Sequence, residues 1–233
     1  MTESNRSEKI TTSMRIEVKE IFLPQDLIRI EARLALSPFR FYQPHPPRRI
    51  NSLYFDSINL DSLEESIEGS SIRKKIRLRW YGSESKLTPA TLEIKKKQGV
   101  LSWKELYAKQ FGINPSSESW SRFINLEQNC NTAVHEKIRN LQPVSIVSYQ
   151  RKYFSSFDHK VRITLDHNLQ TFEQRYSRSP NLRFGRDHLN QLVLEAKVEA
   201  HNQESLDALY KQLPFSPKRF SKYCESLLPR NYI

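Results

Sequence analysis

The sequence predicts an α+β protein: a sheet of six to eight mostly antiparallel strands with helices packed on it. Three observations predict it. Short stretches that alternate apolar and charged residues recur along the chain, as in RIEVKEIF (15–22) and RITLD (162–166); a period of two marks a strand with one buried face. Segments of helical spacing fall between these stretches. The most basic stretch, Arg73 to Lys97, reads as a β-hairpin with nine Lys or Arg against two acids. Its first arm sets Arg73, Lys75, Arg77 and Arg79 opposite Ile76, Leu78 and Trp80, and its second arm sets Glu93, Lys95 and Lys97 opposite Leu92 and Ile94.

Taken in order, residues 1–13 are polar and are expected to be a disordered tail, leaving 14–233 as a single domain. Arg15 to Phe22 is the first strand, with Arg15, Glu17 and Lys19 on one face. Pro24, Asp26 and the spacing of Leu27, Ile30 and Leu34 open an amphipathic helix that ends near Ser37-Pro38. A proline-rich loop, QPHPPRR, follows. Ile50 to Phe55 is a strand, and LDSLEESIEGS is a short helix stopped by Gly69. Beyond the hairpin, LSWKELYAK extends the sheet. Pro115 to Leu141 carries Trp120, Phe123, Ile124, Leu126, Val134 and Ile138 at helical spacing, which predicts two helices with a packing stripe. Three strands come next, Val144 to Phe154, Val161 to Asp166 and Gln191 to Ala200, with an Arg- and Ser-rich loop at 174–190. Arg162, Thr164 and Asp166 share one face, and Val193, Glu195, Lys197 and Glu199 share another. Glu204 to Leu213 reads as a helix.

Composition narrows the chemistry. Among 233 residues, 37 Lys and Arg against 26 Asp and Glu give a net charge of +11, which calls for a polyanionic partner. A hydrophobic content of 37% with 12 Phe, 10 Tyr and 3 Trp is enough for a core and excludes a disordered chain. Cys130 and Cys224 lie far apart without CxxC spacing, so neither a disulfide framework nor a zinc site is expected, and a cytoplasmic location fits. With no run of about 18 apolar residues, no signal peptide or spanning helix is expected, and a membrane role would need a partner. The six histidines are scattered, with no HExxH or triad-like cluster.

Charged faces on so many strands have two readings. An open antiparallel sheet can turn one side to water. A sheet closed into a barrel would instead hold these charges in a lumen, which must stay hydrated, be neutralised by acids, or bind an anion. Side chains at i and i+2 stand roughly 6 to 7 Å apart on a strand, so Arg77 and Arg79 would meet successive parts of an extended anion such as polyphosphate or a nucleotide triphosphate. Arginine's fork suits phosphate oxygens, and lysine adds point charge. Glu17 and Glu195 either neutralise neighbouring cations or supply hard oxygen ligands for Mg²⁺ or Mn²⁺ beside phosphate.

The succession RIEVK (15–19), SLYFDS (52–57), RKKIRLRWYG (73–82), LEIKKK (92–97), SYQRKYF (148–154), RITLD (162–166), LEAKVE (194–199) and FSKYCESL (220–227) resembles the VTC-type polyphosphate polymerase domain of the triphosphate tunnel (CYTH-like) superfamily. The resemblance runs from about residue 14 to 228 in the family's order. It implies an antiparallel tunnel of about eight strands with a basic interior. By motif position, Lys19, Arg77, Arg79, Lys95, Arg151, Lys197 and Lys222 are the expected phosphate-binding, catalytic cations. Glu195 is the expected metal ligand, with Glu17 beside it. Arg73, Lys75, Lys97, Arg162, Ser221 and Tyr223 are expected to bind substrate, with Arg73 and Lys75 at the mouth and the SKY of 221–223 closing one end. Two departures stand out. Arg15 replaces the first acid of the superfamily's ExExK, which removes a metal ligand and favours the VTC branch over hydrolytic triphosphatases. The loop after LEIKKK lacks the family's KxR, and Lys104 is not assigned a role in its place.

The activity so implied transfers the γ-phosphate of ATP to a growing polyphosphate chain with Mn²⁺ or Mg²⁺. A triphosphatase with the same tunnel and a non-catalytic polyphosphate- or RNA-binding module are the alternatives. ATP and polyphosphate are the expected partners. Nucleic acid is not expected, since Trp80 lies on the apolar face and not where a base would stack, but the other aromatics are unplaced and the RNA-binding alternative stays open; there is room for a membrane-protein partner.

Overall fold

The structure is a computed structural model that describes residues 9–82, 87–126, 136–188, 190–213 and 216–228. Its strands are β1 (Lys9–Thr11), β2 (Arg15–Phe22), β3 (Arg48–Asp56), β4 (Ile72–Tyr81), β5 (Thr88–Gln98), β6 (Leu101–Ile113), β7 (Ile124–Leu126), β8 (Gln142–Ser155), β9 (Val161–Glu173), β10 (Arg186–His188) and β11 (Leu192–Glu199). Eight of them close on themselves in the order β2-β11-β9-β8-β3-β4-β5-β6, with β6 returning to β2. Every pairing is antiparallel. The expected α+β tunnel is therefore present, and closure turns the charged faces inward instead of leaving one side of an open sheet to water. Among the described residues no helix is long and apolar enough to cross a membrane.

The outward faces carry the aliphatic residues, and most of the helices cover them. Leu53, Ile76, Leu78, Trp80, Leu92 and Ile94 form one buried cluster under Trp120, Phe123, Ile124, Ile138 and Leu141. Val161, Ile163, Leu165, Leu194, Ala196 and Val198 form a second, covered by Ile30 and Leu34 of the helix Leu27–Ala35 and by Leu206 and Leu209 of the helix Gln203–Gln212. Each such side chain contributes about 1.5–3 kcal/mol on burial. A third cluster differs in kind. Tyr54, Val147, Tyr149, Leu169 and Val193 meet Leu63, Phe220 and Tyr223, so the helices Asp61–Glu68 and Lys222–Leu227 pack against residues of the inward faces.

Local chemistry fixes these helices. Asp56 accepts hydrogen bonds from the Ser62 and Leu63 amides and so caps Asp61–Glu68, which Gly69 ends at φ +79°. A Cβ at Gly69 would stand 2.8 Å from Arg219 Nη1, the mobile tip of an exposed side chain, so it is the left-handed φ that calls for glycine there. Ser221 Oγ accepts from the Cys224 amide and caps Lys222–Leu227.

Four expectations change. Lys9–Thr11 belongs to the sheet as β1 on β6, where a disordered tail was expected through residue 13. Within 115–141, Trp120–Phe123 is a single helical turn that gives way to β7, because Ile124 to Leu126 pair with the end of β6 and ladder hydrogen bonds override the local helical pattern; residues 127–135, including Val134, lie outside the described residues. The Arg- and Ser-rich loop contains β10, paired to β9. The helix Lys222–Leu227 was not anticipated, its six residues being too short for a visible period.

Candidate functional site

The inward faces and the segment 217–222 enclose a cavity of about 590 Å³. Among the described residues thirteen Lys and Arg line it against three Glu. All seven cations expected to bind phosphate are in its wall: Lys19 from β2, Arg77 and Arg79 from β4, Lys95 from β5, Arg151 from β8, Lys197 from β11, and Lys222 from the C-terminal helix. Arg73, Lys75, Lys97 and Ser221 line it too, as do Glu17 and Glu195.

Cross-strand register brings these side chains together. Arg77 stands opposite Glu93 and Lys75 opposite Lys95 between β4 and β5, and Glu195 stands opposite Lys19 between β11 and β2. Glu93 Oε2 accepts from Arg77 Nε at 2.9 Å and Nη2 at 2.6 Å, and from Lys104 Nζ at 3.2 Å, while Oε1 accepts from Arg79 Nη1 at 3.3 Å. Arg77 Nη1 also donates to Tyr54 Oη at 3.0 Å. Asp166 takes both forks of Arg151, at 2.5 and 2.7 Å, and Lys222 Nζ at 2.6 Å. Lys222 also sits 4.8 Å from the Tyr149 ring centre. Glu195 lies 3.4 Å from Lys197 and 3.8 Å from Arg151. Glu17 bonds Lys95, Lys75 donates to Ser221 Oγ at 2.7 Å, and Lys19 donates to the Phe220 carbonyl at 3.1 Å.

Titration follows from this crowding. Burial opposes the charge on Glu93, but Arg77, Arg79 and Lys104 outweigh it and hold its carboxyl well below the usual range. Burial likewise opposes Glu195, and Lys197, Lys19, Lys95 and Arg151 overcome it. Asp166 is brought down to about 2 by Arg151 and Lys222 against the same burial. The lysines move the other way. Burial pushes Lys19 down to about 7, offset in part by Glu195. Burial also pushes Lys104 well down, with Glu93 opposing and Arg77 and Arg79 adding to the fall. An anion entering the cavity would relieve both lysines.

Two expected substrate-binding residues lie elsewhere. Arg162 is outside the cavity wall and bonds Glu199 at 3.2 Å, sharing it with Arg15, because its place at the start of β9 leaves it exposed. Tyr223 is 2% exposed, donates its hydroxyl to Asp56, and presents its ring to Lys75 at 5.5 Å, so it fixes the C-terminal helix and does not face the cavity. Other wall residues were missed. Lys104 follows Ser102 at the alternate position of β6, a signal that was present; Lys218 and Arg219 come from a segment with no periodicity.

Among the described residues no group of three or more His, Cys, Asp and Glu is gathered to hold a metal. Glu17 and Glu195 both line the cavity, one alternate position apart on the paired strands β2 and β11. Such a pair suits an ion that arrives with substrate phosphates and completes its shell from them, not a resident protein cage.

Fold and site define a closed antiparallel eight-stranded barrel with a polycationic lumen. More particularly, the VTC domain model matches residues 14–228, and the chain belongs to that family. Three solved structures are similar to this chain, the first of them at a TM-score that supports a shared fold. A putative adenylyl cyclase from Hippeastrum, reported to have a dominant triphosphatase activity, is 15% identical with a TM-score of 0.50, over 94% of this chain and 98% of that one. The PH1819 protein from Pyrococcus horikoshii OT3 is 13% identical with a TM-score of 0.49, over 90% and 96%. A putative adenylate cyclase from Vibrio parahaemolyticus is 12% identical with a TM-score of 0.45, over 91% and 97%. A search of curated proteins finds no match.

Proposed function

We propose that this protein is a polyphosphate polymerase that transfers the γ-phosphate of ATP to the end of a polyphosphate chain. The supporting observation is the lumen itself, where among the described residues thirteen cations face three glutamates along a half-open cavity. A surplus of buried cations is costly when empty and is relieved by a multiply charged anion. Arg77, Arg79, Lys95, Lys104, Arg151 and Lys197 bind and align the phosphates. A terminal oxygen of the acceptor chain attacks the γ-phosphorus, the bond to the β,γ-bridging oxygen breaks, and ADP leaves with that electron pair. No protein nucleophile takes part, since fixed cations stabilise the charge on the transferring group. Glu195 and Glu17 would hold Mn²⁺ or Mg²⁺, which when bound neutralises phosphate oxygens. Glu195→Gln should cut turnover at least tenfold (~1.4 kcal/mol) while polyphosphate affinity is kept; full activity with Mn²⁺ would exclude that role.

If water replaces the acceptor, the same cavity is a triphosphatase. Purified protein given ATP and Mn²⁺, with products separated on a gel, decides between them. A ladder of phosphate chains with ADP supports the polymerase, and orthophosphate as the sole phosphate product overturns it.

A further inference from the structure

Arg48 stands apart from the cations of the cavity. It does not line the wall, yet it lies on the same face of β3 as Tyr54, which does, and directly opposite Arg151 of β8. Arg151 is neutralised by Asp166, with Glu195 nearby. Among the described residues Arg48 has neither a carboxylate nor a hydrogen-bond acceptor, and its Nε is buried without a partner. Two rings hold its guanidinium, Tyr81 at 5.3 Å and Tyr153 at 5.0 Å. These tyrosines follow Arg79 and Arg151 by two residues on β4 and β8; Arg48 shares the rung of Arg151 and lies two alternate positions along β3 past Ser52, the partner of Arg79.

Like charges directly opposite across a strand pair destabilise a sheet, and aromatic faces hold a cation in place without cancelling its charge. A guanidinium so held beside a second arginine is arranged for an anion to bridge the pair. We propose that Arg48 is an outer phosphate subsite that takes a chain extending beyond the cavity. The inference rests on the polyphosphate reading and deepens it, because six residues along β3 separate Arg48 from Tyr54, roughly 20 Å at strand rise, a span that a triphosphate held at Arg77 does not cover. Chains of tens of phosphates are the ligand class, and inorganic triphosphate is the control.

Affinities of both ligands are measured for the wild type, Arg48→Met and Arg48→Lys. Losing one charge-assisted contact should weaken long-chain binding about tenfold in Arg48→Met, with triphosphate binding unchanged and Arg48→Lys in between. Equal effects on both ligands, or none on either, would overturn the subsite. Without any substitution, a dicarbonyl reagent for guanidinium groups should modify Arg48 in the triphosphate complex and spare it in the long-chain complex; equal modification in the two complexes overturns the proposal. A wild-type protein that binds neither ligand would remove the polyphosphate reading, and the subsite with it. Binding of both, with no chain-length dependence at Arg48, would remove only the subsite.

Discussion

Glu93 accepts hydrogen bonds from Arg77, Arg79 and Lys104 behind the cationic wall of the cavity, and at 6% exposure it occupies the place of an internal counter-ion. Removing one partner of a buried ion pair costs about 3–5 kcal/mol because the remaining charge is uncompensated. Glu93→Gln should therefore lower the melting temperature of the empty protein and be rescued by ligand: saturating triphosphate should raise it by more than in the wild type, since phosphate supplies the missing charge. Equal ligand shifts in a thermal melt would show that Glu93 does not stand in for the anion. Asp166 has a pH signature. Its folded pKa of about 2 lies below its ordinary 3.8, so the stability it contributes is present above pH 4 and lost as pH falls towards 2. That amounts to about 2 kcal/mol. Denaturant unfolding across this window should show the wild type losing that much more than Asp166→Asn; parallel curves would mean that Arg151 and Lys222 do not hold the carboxylate. The positions of Arg77, Arg79 and Lys95 were readable from alternation, which fixes a face locally. The bonds of Glu93 and Asp166 were not, because they depend on which strands become neighbours.

At the level of elements, the seam of the barrel is its most lightly paired join. β2 meets β6 at two positions, Arg15 with Ser102 and Ile16 with Leu101, whereas it meets β11 at eight. β1 adds three more positions against β6, and Thr12 donates to the Lys104 carbonyl. The Glu17–Lys95 bond ties β2 to β5 across β6. A chain shortened to begin at Met14 should lose about 2 kcal/mol from these contacts at about 0.5–1.5 each, or roughly 4–8 °C for a domain of this size. Amide exchange should quicken in residues 104–107 and stay unchanged in β8 and β9; an unchanged β6 would show that β2 closes the barrel alone. The first segment reads as a tail because three residues are too few to display a period, and their strand form comes from β6 alone. The 115–141 stripe was legible as packing, since Trp120, Phe123 and Ile138 reach the core; 120–123 and 136–138 are helical, and pairing with β6 takes only Ile124 to Leu126 out of the helical pattern.

For the molecule as a whole, closure converts a basic chain into a basic interior, and this separates two kinds of polyanion. On the proposed function a flexible, unbranched phosphate chain would enter the lumen, whereas a nucleic acid would rely on outer cations and exposed rings such as Tyr176 and Phe184, each 85% exposed. Composition alone left these readings level, because the net charge of +11 carries no information on which side of the sheet the cations lie. Salt dependence distinguishes them. Each phosphate contact releases counter-ions and adds about one to the slope of log affinity against log salt. Lys97→Met, in the cavity wall, should reduce the polyphosphate slope by about one, while Arg183→Ala, on the exposed loop, should leave it alone. Should single-stranded RNA bind as tightly as polyphosphate, with a slope that falls in Arg183→Ala and not in Lys97→Met, the anion site would be the outer surface and the lumen would not be where this protein works.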